Sequence, residues 1–196
     1  MTGESVTGVI LAGGLGRRMG GADKGLQLLD GKALVQHVLE RFAPQIDELL
    51  VNANQNRVHY ETFGCSVIAD RFPGFAGPLA GLHVALSSAS HPLVATVPCD
   101  SPFLPSDLVA RLQAALLCND AQLAMARTFN QPQPAFCLCR RELLPQLSHF
   151  LEGGGRKLAL WYRTLKAVEV SFDDQEAAFS NINTAGELAN ARQGEA

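Results

Sequence analysis

A glycine-rich, basic segment follows an apolar run near the start of the chain. Residues 7–25 read TGVILAGGLGRRMGGADKG, so glycines surround Arg17, Arg18 and Lys24 directly after a run typical of a buried strand. Glycine lets backbone N–H groups approach a ligand closely, and the cationic side chains add positive charge. This combination suits a polyphosphate. The alternative is a surface loop whose charges are solvated.

The spacing of the glycines excludes two common nucleotide-binding motifs. Residues 14–20, GLGRRMG, contain one residue too many for G-x-G-x-x-G. Gly31-Lys32 is followed by Ala33, and position 26 lacks the glycine that a Walker motif requires. The segment therefore predicts a phosphate site of another kind.

Asp100 is the second candidate, at the end of the apolar run in VPCDSPFLP, residues 97–105. A carboxylate at a buried strand end needs a partner. Mg²⁺ prefers one or two carboxylates together with substrate phosphate oxygens, so Asp100 facing the glycine-rich segment would suit a metal–nucleotide complex. Alternatively, Asp100 caps the turn at Ser101-Pro102. Cys99 is expected in the core, since no activating histidine lies near it.

The elements that must position these residues alternate along the chain. Helical periodicity occurs at 32–43, 77–89 and 105–117, and Ser106 or Asp107 is the expected cap of the last helix. Short β-prone runs lie at 8–12, 48–53, 66–70, 93–97, 122–126, 136–139 and 167–172. The alternation predicts an α/β fold, with a mostly parallel central sheet covered by helices on both faces and ligands at the carboxyl ends of its strands.

Composition limits the class of protein. The chain has 196 residues, 47% of them hydrophobic, which predicts a single domain over 1–196. A formal net charge of -3 argues against a nucleic-acid or membrane partner. The five cysteines contain no C-x-x-C pair, so neither a disulfide framework nor a zinc site is indicated. No export signal or long apolar run is found, and a cytoplasmic location is expected.

Several segments together resemble the molybdenum cofactor guanylyltransferases (MobA-type) of the nucleotidyltransferase superfamily. In family order they are LAGGLGRRMGGADKG (11–25), VNAN (51–54), ADRFPGFAGPLAGL (69–82), PCDSPFLP (98–105), QPAF (133–136) and NINTAGEL (181–188). The resemblance implies a Rossmann-like nucleotidyltransferase fold. It also implies a reaction with Mg²⁺ in which GMP passes from GTP to the terminal phosphate of molybdenum-bearing molybdopterin, with release of pyrophosphate.

The resemblance implies roles for individual residues. Lys24 would contact the phosphates of GTP, Asp100 would hold Mg²⁺, and Arg18 suits phosphate oxygens through its planar guanidinium. We expect these three to be the catalytic residues, without a covalent enzyme intermediate, because a phosphate monoester is itself largely dianionic at pH 7. The residues expected to bind GTP are Leu11, Ala12, Gly13, Lys24, Asn52, Asp70 and Asp100. The alternatives are a turn residue at Asn52 and a salt bridge from Asp70 to Arg71.

Guanine is the expected base, because the chain reads LAGG where similar cytidylyltransferases read LAAG, and because it contains G-P-L-A-G at 77–81. The adjacent N1–H and N2–H donors of guanine need acceptors such as Asp70 or backbone carbonyls near Pro78. The sequence does not decide between these acceptors. A nucleotidyltransferase that uses CTP or a sugar phosphate, and a non-catalytic nucleotide-binding regulator, remain the alternatives.

The C-terminal half is expected to bind the acceptor. Gln133-Pro134 resembles the family's turn beside the pterin, and Arg156 and Lys157 lie at a predicted helix start. Solvated charge is the alternative for these two cations. The asparagines of the closing motif, Asn181 and Asn183, could reach the active site. Expected partners are GTP, molybdenum-molybdopterin, proteins that deliver molybdopterin, and chaperones of molybdoenzymes.

Overall fold

A computed structural model describes residues 3–14, 23–71 and 77–182. Its strands are β1 (Val6–Leu11), β2 (Leu28–Leu29), β3 (Lys32–Ala33), β4 (Glu48–Asn52), β5 (Ser66–Ile68), β6 (Leu93–Pro98), β7 (Leu123–Thr128), β8 (Gln131–Arg140) and β9 (Ala167–Ser171). Its helices are α1 (Leu34–Phe42), α2 (Arg57–Glu61), α3 (Pro78–Ser88), α4 (Leu108–Cys118), α5 (Leu144–Glu152) and α6 (Leu158–Tyr162). Short 3-10 helices lie at Lys24–Leu26, Ala43–Gln45, Arg141–Leu143 and Asp173–Phe179.

The main sheet has seven strands in the order β5-β4-β1-β6-β8-β7-β9. The pairs β5–β4, β4–β1, β1–β6 and β7–β9 are parallel. Strand β8 is antiparallel to both of its neighbours. The predicted mostly parallel sheet is therefore confirmed, and each β-prone run of the sequence contributes a strand to it.

Helices cover both faces of this sheet, as predicted. On one face, α1, α2 and α4 pack through residues such as Phe42, Tyr60 and Leu112. On the other face, α3, α5 and α6 pack through residues such as Leu86 and Trp161. The named side chains are at most 1% exposed, so both layers bury apolar surface against the strands.

The parallel strands bring the candidate residues to one edge. Leu11 at the end of β1 pairs in register with Asn52 on β4 and with Pro98 on β6. Asn52 in turn pairs with Ile68 at the end of β5. The segments that follow these four residues therefore emerge side by side, at the edge where open α/β sheets bind ligands.

One local prediction needs correction, and one hairpin was not predicted. Asp107 is the N-cap residue of α4, but its side chain makes no capping bond; Gln45 Oε1 instead accepts the hydrogen bond of the Val109 N–H at 3.0 Å. The hairpin β2–β3 was missed, although its turn is an Asp30-Gly31 pair, a strong hairpin signal, with φ of 51° and 79°.

The described chain shows neither disulfide bonds nor membrane-spanning helices. All five cysteines are free thiols. No helix among residues 3–14, 23–71 and 77–182 is long and apolar enough to cross a membrane.

Candidate functional site

An ion pair between Lys24 and Asp100 lies at the centre of the site. Lys24 belongs to the glycine-rich segment and begins the 3-10 helix Lys24–Leu26, and Asp100 lies in the turn after β6. The Lys24 Nζ atom is 3.2 Å from Asp100 Oδ2, and the Asp100 side chain is 10% exposed. The expectation that Asp100 faces the glycine-rich segment is met. Its carboxylate forms an ion pair with Lys24, which the alternative role as a cap of the Ser101-Pro102 turn does not explain.

Asp23 fixes the backbone that carries Lys24. Its Oδ1 atom accepts hydrogen bonds from the Gly25 N–H at 3.2 Å and from the Tyr60 hydroxyl at 2.6 Å. Its Oδ2 atom accepts one from Asn56 Nδ2 at 3.0 Å. Burial raises the pKa of the Tyr60 hydroxyl well above its usual range, so Tyr60 stays a donor at physiological pH. These three hydrogen bonds of Asp23 therefore fix the backbone on both sides of Lys24.

Two asparagines bind the carboxylate of Asp70. Asn52 Nδ2 donates to Asp70 Oδ1 at 2.9 Å, and Asn54 Nδ2 donates to Asp70 Oδ2 at 2.8 Å. Asn54 Oδ1 also accepts from the backbone N–H of Asp70 at 2.9 Å. Asn52 is the last residue of β4 and is 2% exposed, so its interpretation as a turn residue is wrong. Among the described residues Asp70 is bound by amides, and the alternative salt bridge to Arg71 is not formed.

Glycines make room for these amide groups. A Cβ atom on Gly13 would lie 2.9 Å from Asn54 Nδ2 and 3.0 Å from Asn52 Oδ1. A Cβ atom on Gly81, in α3, would lie 2.6 Å from Asn52 Oδ1 and 2.9 Å from Leu11 Cδ2. Such short contacts would force the neighbouring groups to move. Gly13 of LAGG and Gly81 of G-P-L-A-G thus serve close packing around Asn52 and Asn54, whereas among the described residues a Cβ atom on Gly14 would meet nothing within 4 Å.

The backbone after β1 is tied to both neighbouring strands. The Ala12 N–H donates to the Asn52 carbonyl at 2.8 Å, and the Leu11 carbonyl accepts from the Cys99 N–H at 3.2 Å. Cys99 is buried as expected, and burial raises the pKa of its thiol well above the usual range, so it is a neutral core residue. Leu11, Ala12 and Gly13 therefore lie between the Asn52 and Asp100 sides of the site.

The first two residues of the closing motif dock beside Asp100. The Ser101 hydroxyl donates to Asn181 Oδ1 at 2.5 Å, and the Ile182 N–H donates to the Asp100 carbonyl at 2.9 Å. Ser101 is fully buried and Ile182 is 4% exposed. Asn181 is therefore brought to the Asp100 turn from 80 residues away in the sequence.

The residues expected on the acceptor side are placed differently from one another. Gln133 Nε2 donates to Thr128 Oγ1 at 3.1 Å, near the hairpin between β7 and β8. Arg156 Nη1 donates to the carbonyls of Leu151 and Gly155, each at 2.7 Å. This guanidinium favourably caps the C-terminal end of α5. Lys157 is the N-cap residue of α6.

The donor set fits a metal that the substrate helps to hold. Among the described residues no group of three or more histidine, cysteine, aspartate or glutamate side chains converges on one point. Asp100 offers a carboxylate beside a cation at the sheet edge. Mg²⁺ is commonly held by one or two carboxylates, substrate phosphates and water, so Asp100 fits this ion when a nucleotide is bound.

Several predicted residues lie outside the described part of the chain. These are Arg17, Arg18 and Asn183. Sequence reasoning also missed residues that the structure brings into the site, namely Asp23, Asn54 and Tyr60. Asn54 had a signal, because residues two apart at a strand end point to the same side, and VNAN places Asn52 and Asn54 in that relation.

The fold and this site define a nucleotidyltransferase, and the chain belongs to the MobA-like NTP transferase domain family. The family model matches residues 8–168, which include β1 from its third residue, the whole of β2 to β8 and the first two residues of β9. The family predicted from the sequence motifs is thereby confirmed.

Named relatives are similar over nearly the whole chain. The chain is 50% identical over 190 residues to the molybdenum cofactor guanylyltransferase of Cupriavidus taiwanensis, covering 94% of this chain and 95% of the relative. It is also 50% identical over 187 residues to the enzyme of the same name from Bordetella petrii, covering 93% and 95%. A crystal structure of the molybdopterin-guanine dinucleotide biosynthesis protein A from Archaeoglobus fulgidus has a TM-score of 0.79 at 23% identity, covering 95% of this chain and 97% of that one. This likeness confirms the predicted Rossmann-like nucleotidyltransferase fold.

Proposed function

We propose that this chain transfers GMP from GTP to the terminal phosphate of molybdenum-bearing molybdopterin and releases pyrophosphate. Relatives with half of their residues identical carry the name molybdenum cofactor guanylyltransferase. The observation that carries the proposal is the Lys24–Asp100 pair, formed by residues 76 positions apart. A cation and a carboxylate at one sheet edge are the charges that a magnesium–nucleotide complex requires.

Lys24 binds the phosphates of GTP in the proposed reaction. An ammonium about 4 Å from a phosphate charge contributes on the order of 4 kcal/mol at an effective dielectric constant near 20, before desolvation. Asp100 would hold Mg²⁺, and the ion would neutralise phosphate charge. The Lys24–Asp100 pair places the two charges 3.2 Å apart, where the ammonium would face the phosphates and the carboxylate would hold Mg²⁺. Arg18 adds a second, planar cation toward the phosphates.

The acceptor phosphate is the proposed nucleophile. It is already anionic at neutral pH, so the reaction needs no serine, cysteine or histidine nucleophile. The protein aligns two anionic groups and offsets their repulsion, and positioning with electrostatic stabilisation supplies the rate acceleration. Transfer is therefore direct, without a covalent enzyme intermediate.

Leu11, Ala12, Gly13, Asn52 and Asp70 form the proposed nucleotide pocket on the N-terminal side of the chain. These residues are grouped in one pocket because they contact each other: Ala12 is hydrogen-bonded to Asn52, and Asn52 to Asp70. Guanine is the proposed base.

The C-terminal half is proposed to bind molybdopterin within the same domain. Asn181 lies beside Ser101 and thus next to the Asp100 turn, which favours it as an acceptor contact. Lys157 remains a candidate cation, whereas Arg156 is already engaged with the end of α5. Molybdopterin-delivering proteins and molybdoenzyme chaperones are proposed partners, and a cytoplasmic location is proposed with them.

A competition experiment tests this function. The protein is incubated with Mg²⁺, molybdenum-loaded molybdopterin and equal concentrations of GTP and CTP, and the product is identified by mass spectrometry. We expect a pterin dinucleotide that contains guanine, formed together with pyrophosphate. A cytosine product would favour the CTP-using alternative. Nucleotide binding with no pyrophosphate release would favour the non-catalytic regulator.

A further inference from the structure

Asn54 occupies an unusual position among the residues of the site. Its side chain contacts the backbone of Gly13, after β1, and both the backbone and the carboxylate of Asp70, after β5. Nδ2 donates to the Gly13 carbonyl at 3.2 Å and to Asp70 Oδ2 at 2.8 Å, and Oδ1 accepts from the Asp70 N–H at 2.9 Å. Asn54 therefore links the segments after β1, β4 and β5.

The hydrogen bonds from the two asparagines fix how the Asp70 carboxylate is turned. Asn52 donates to one of its oxygens and Asn54 to the other. An ionised carboxylate has about four lone-pair sites on its two oxygens, so each oxygen keeps capacity for a further donor. Two parallel donors on a planar ligand are the group that such an oriented pair of oxygens accepts best.

Close packing limits the ways in which this carboxylate can turn. Asn52 is 2% exposed and is confined by Gly13 and Gly81, where a Cβ atom would approach its Oδ1 to 3.0 Å and 2.6 Å. Asn54 is confined in the same way by Gly13. The orientation of Asp70 is thus set before any ligand arrives, which lowers the entropy cost of binding.

We propose that Asn54 is a positioning residue for base selection, which aims the Asp70 carboxylate at the N1–H and N2–H donors of guanine. The inference rests on the proposed use of GTP and deepens it by naming how the base is chosen. The described hydrogen bonds of Asn54 join it to Gly13 and Asp70, so it acts through Asp70. Its loss therefore alters which base is bound and leaves the chemical step at Lys24 and Asp100 intact.

The test compares GTP with inosine triphosphate, which lacks only the exocyclic N2 amino group. Dissociation constants are measured by calorimetry for the wild type, Asn54→Ala and Asn54→Ser. Asn119→Ala is the matched control, because Asn119 is an exposed asparagine at the end of α4 that donates to Ala115. Circular dichroism and thermal midpoints establish that each variant is folded.

We expect the wild type and Asn119→Ala to bind GTP about ten- to a hundredfold more tightly than inosine triphosphate, since the lost hydrogen bond is made to a charged group. In Asn54→Ala this preference should fall to a few fold, with Asn54→Ser between the two. The turnover number at saturating GTP should change by less than about threefold. A folded Asn54→Ala protein that keeps the wild-type preference, with both nucleotides weakened equally, would overturn the inference.

Two other outcomes separate this inference from the proposed function. A wild type that prefers GTP to inosine triphosphate but transfers no GMP would contradict the proposed reaction, and the Asn54 comparison would still stand on binding alone. A wild type that transfers GMP but binds both nucleotides equally would overturn the role of Asn54 and leave the reaction intact.

Discussion

Replacing Lys24 with methionine should affect both the stability and the chemistry of the protein. Methionine keeps the apolar stem of lysine but removes its charge. The Lys24 Nζ–Asp100 Oδ2 distance is 3.2 Å, and the two side chains are 26% and 10% exposed. At an effective dielectric constant near 20, unit charges at this distance attract by about 5 kcal/mol before desolvation.

The net cost should lie between those of exposed and buried ion pairs. Exposed pairs contribute about 0–1 kcal/mol, and removing one partner of a fully buried pair costs about 3–5 kcal/mol. We therefore expect Lys24→Met to lower the free energy of unfolding of the nucleotide-free protein by about 2 kcal/mol. For a chain of this size, that corresponds to a fall in thermal midpoint of roughly 4–8 °C.

A double-mutant cycle measures the interaction directly. Unfolding in urea is compared for the wild type, Lys24→Met, Asp100→Asn and the double variant. Lys24→Met leaves the Asp100 charge unpaired, and Asp100→Asn removes that charge. The double variant should therefore lose about 1–2 kcal/mol less free energy of unfolding than the two single variants lose together. GMP transfer should fall by at least about tenfold in Lys24→Met, because the phosphates lose their cation. Additive stability changes together with near-normal transfer would refute the assignment of Lys24.

Four substitutions test other parts of the proposed site. Asp100→Asn should keep the fold but reduce GMP transfer by at least about two orders of magnitude, because an amide is a poor ligand for a hard cation; near-normal turnover at limiting Mg²⁺ would contradict the metal assignment. Gly81→Ala should weaken GTP binding and destabilise the protein by about 1–3 kcal/mol, because its Cβ would lie 2.6 Å from Asn52 Oδ1. GTP titration and thermal unfolding measure the two effects, and a variant with wild-type affinity would show that Asn52 can move freely. Arg156→Ala should lower the free energy of unfolding by about 0.5–1 kcal/mol through loss of the α5 cap. Lys157→Ala should raise the Michaelis constant for molybdopterin with little change in stability. A stability loss confined to Lys157→Ala and a raised Michaelis constant confined to Arg156→Ala would exchange the two roles.

Most of the architecture was predictable because it follows from local pattern. Short apolar runs alternating with helical periodicity require a covered parallel sheet, and such a sheet brings its strand ends to one edge. The approach of Asp100 to the segment containing Lys24 needs in addition that β1 and β6 be neighbours, as the structure shows. The Asp30-Gly31 hairpin was also within reach, since its turn signal is local.

What the sequence could not indicate depends on contacts between distant segments. The N–H of Val109, the second residue of α4, is capped by Gln45, 64 residues away, although Asp107 stands at the N-cap position. Whether a given asparagine binds Asp70 or solvent is decided by how closely Gly13 and Gly81 let the backbone approach. These distances are set by packing of α3 on the sheet, which no local pattern records.

The most direct test of the proposed reaction follows the phosphates of GTP. The protein is supplied with Mg²⁺ and molybdenum-loaded molybdopterin, and with GTP labelled either at the α-phosphate or at the γ-phosphate. We predict that the α label appears in the pterin product, that the γ label appears in pyrophosphate in equal amount, and that no label remains on the denatured protein. Transfer of the γ label to the pterin, or a stable label on the protein, would contradict direct GMP transfer.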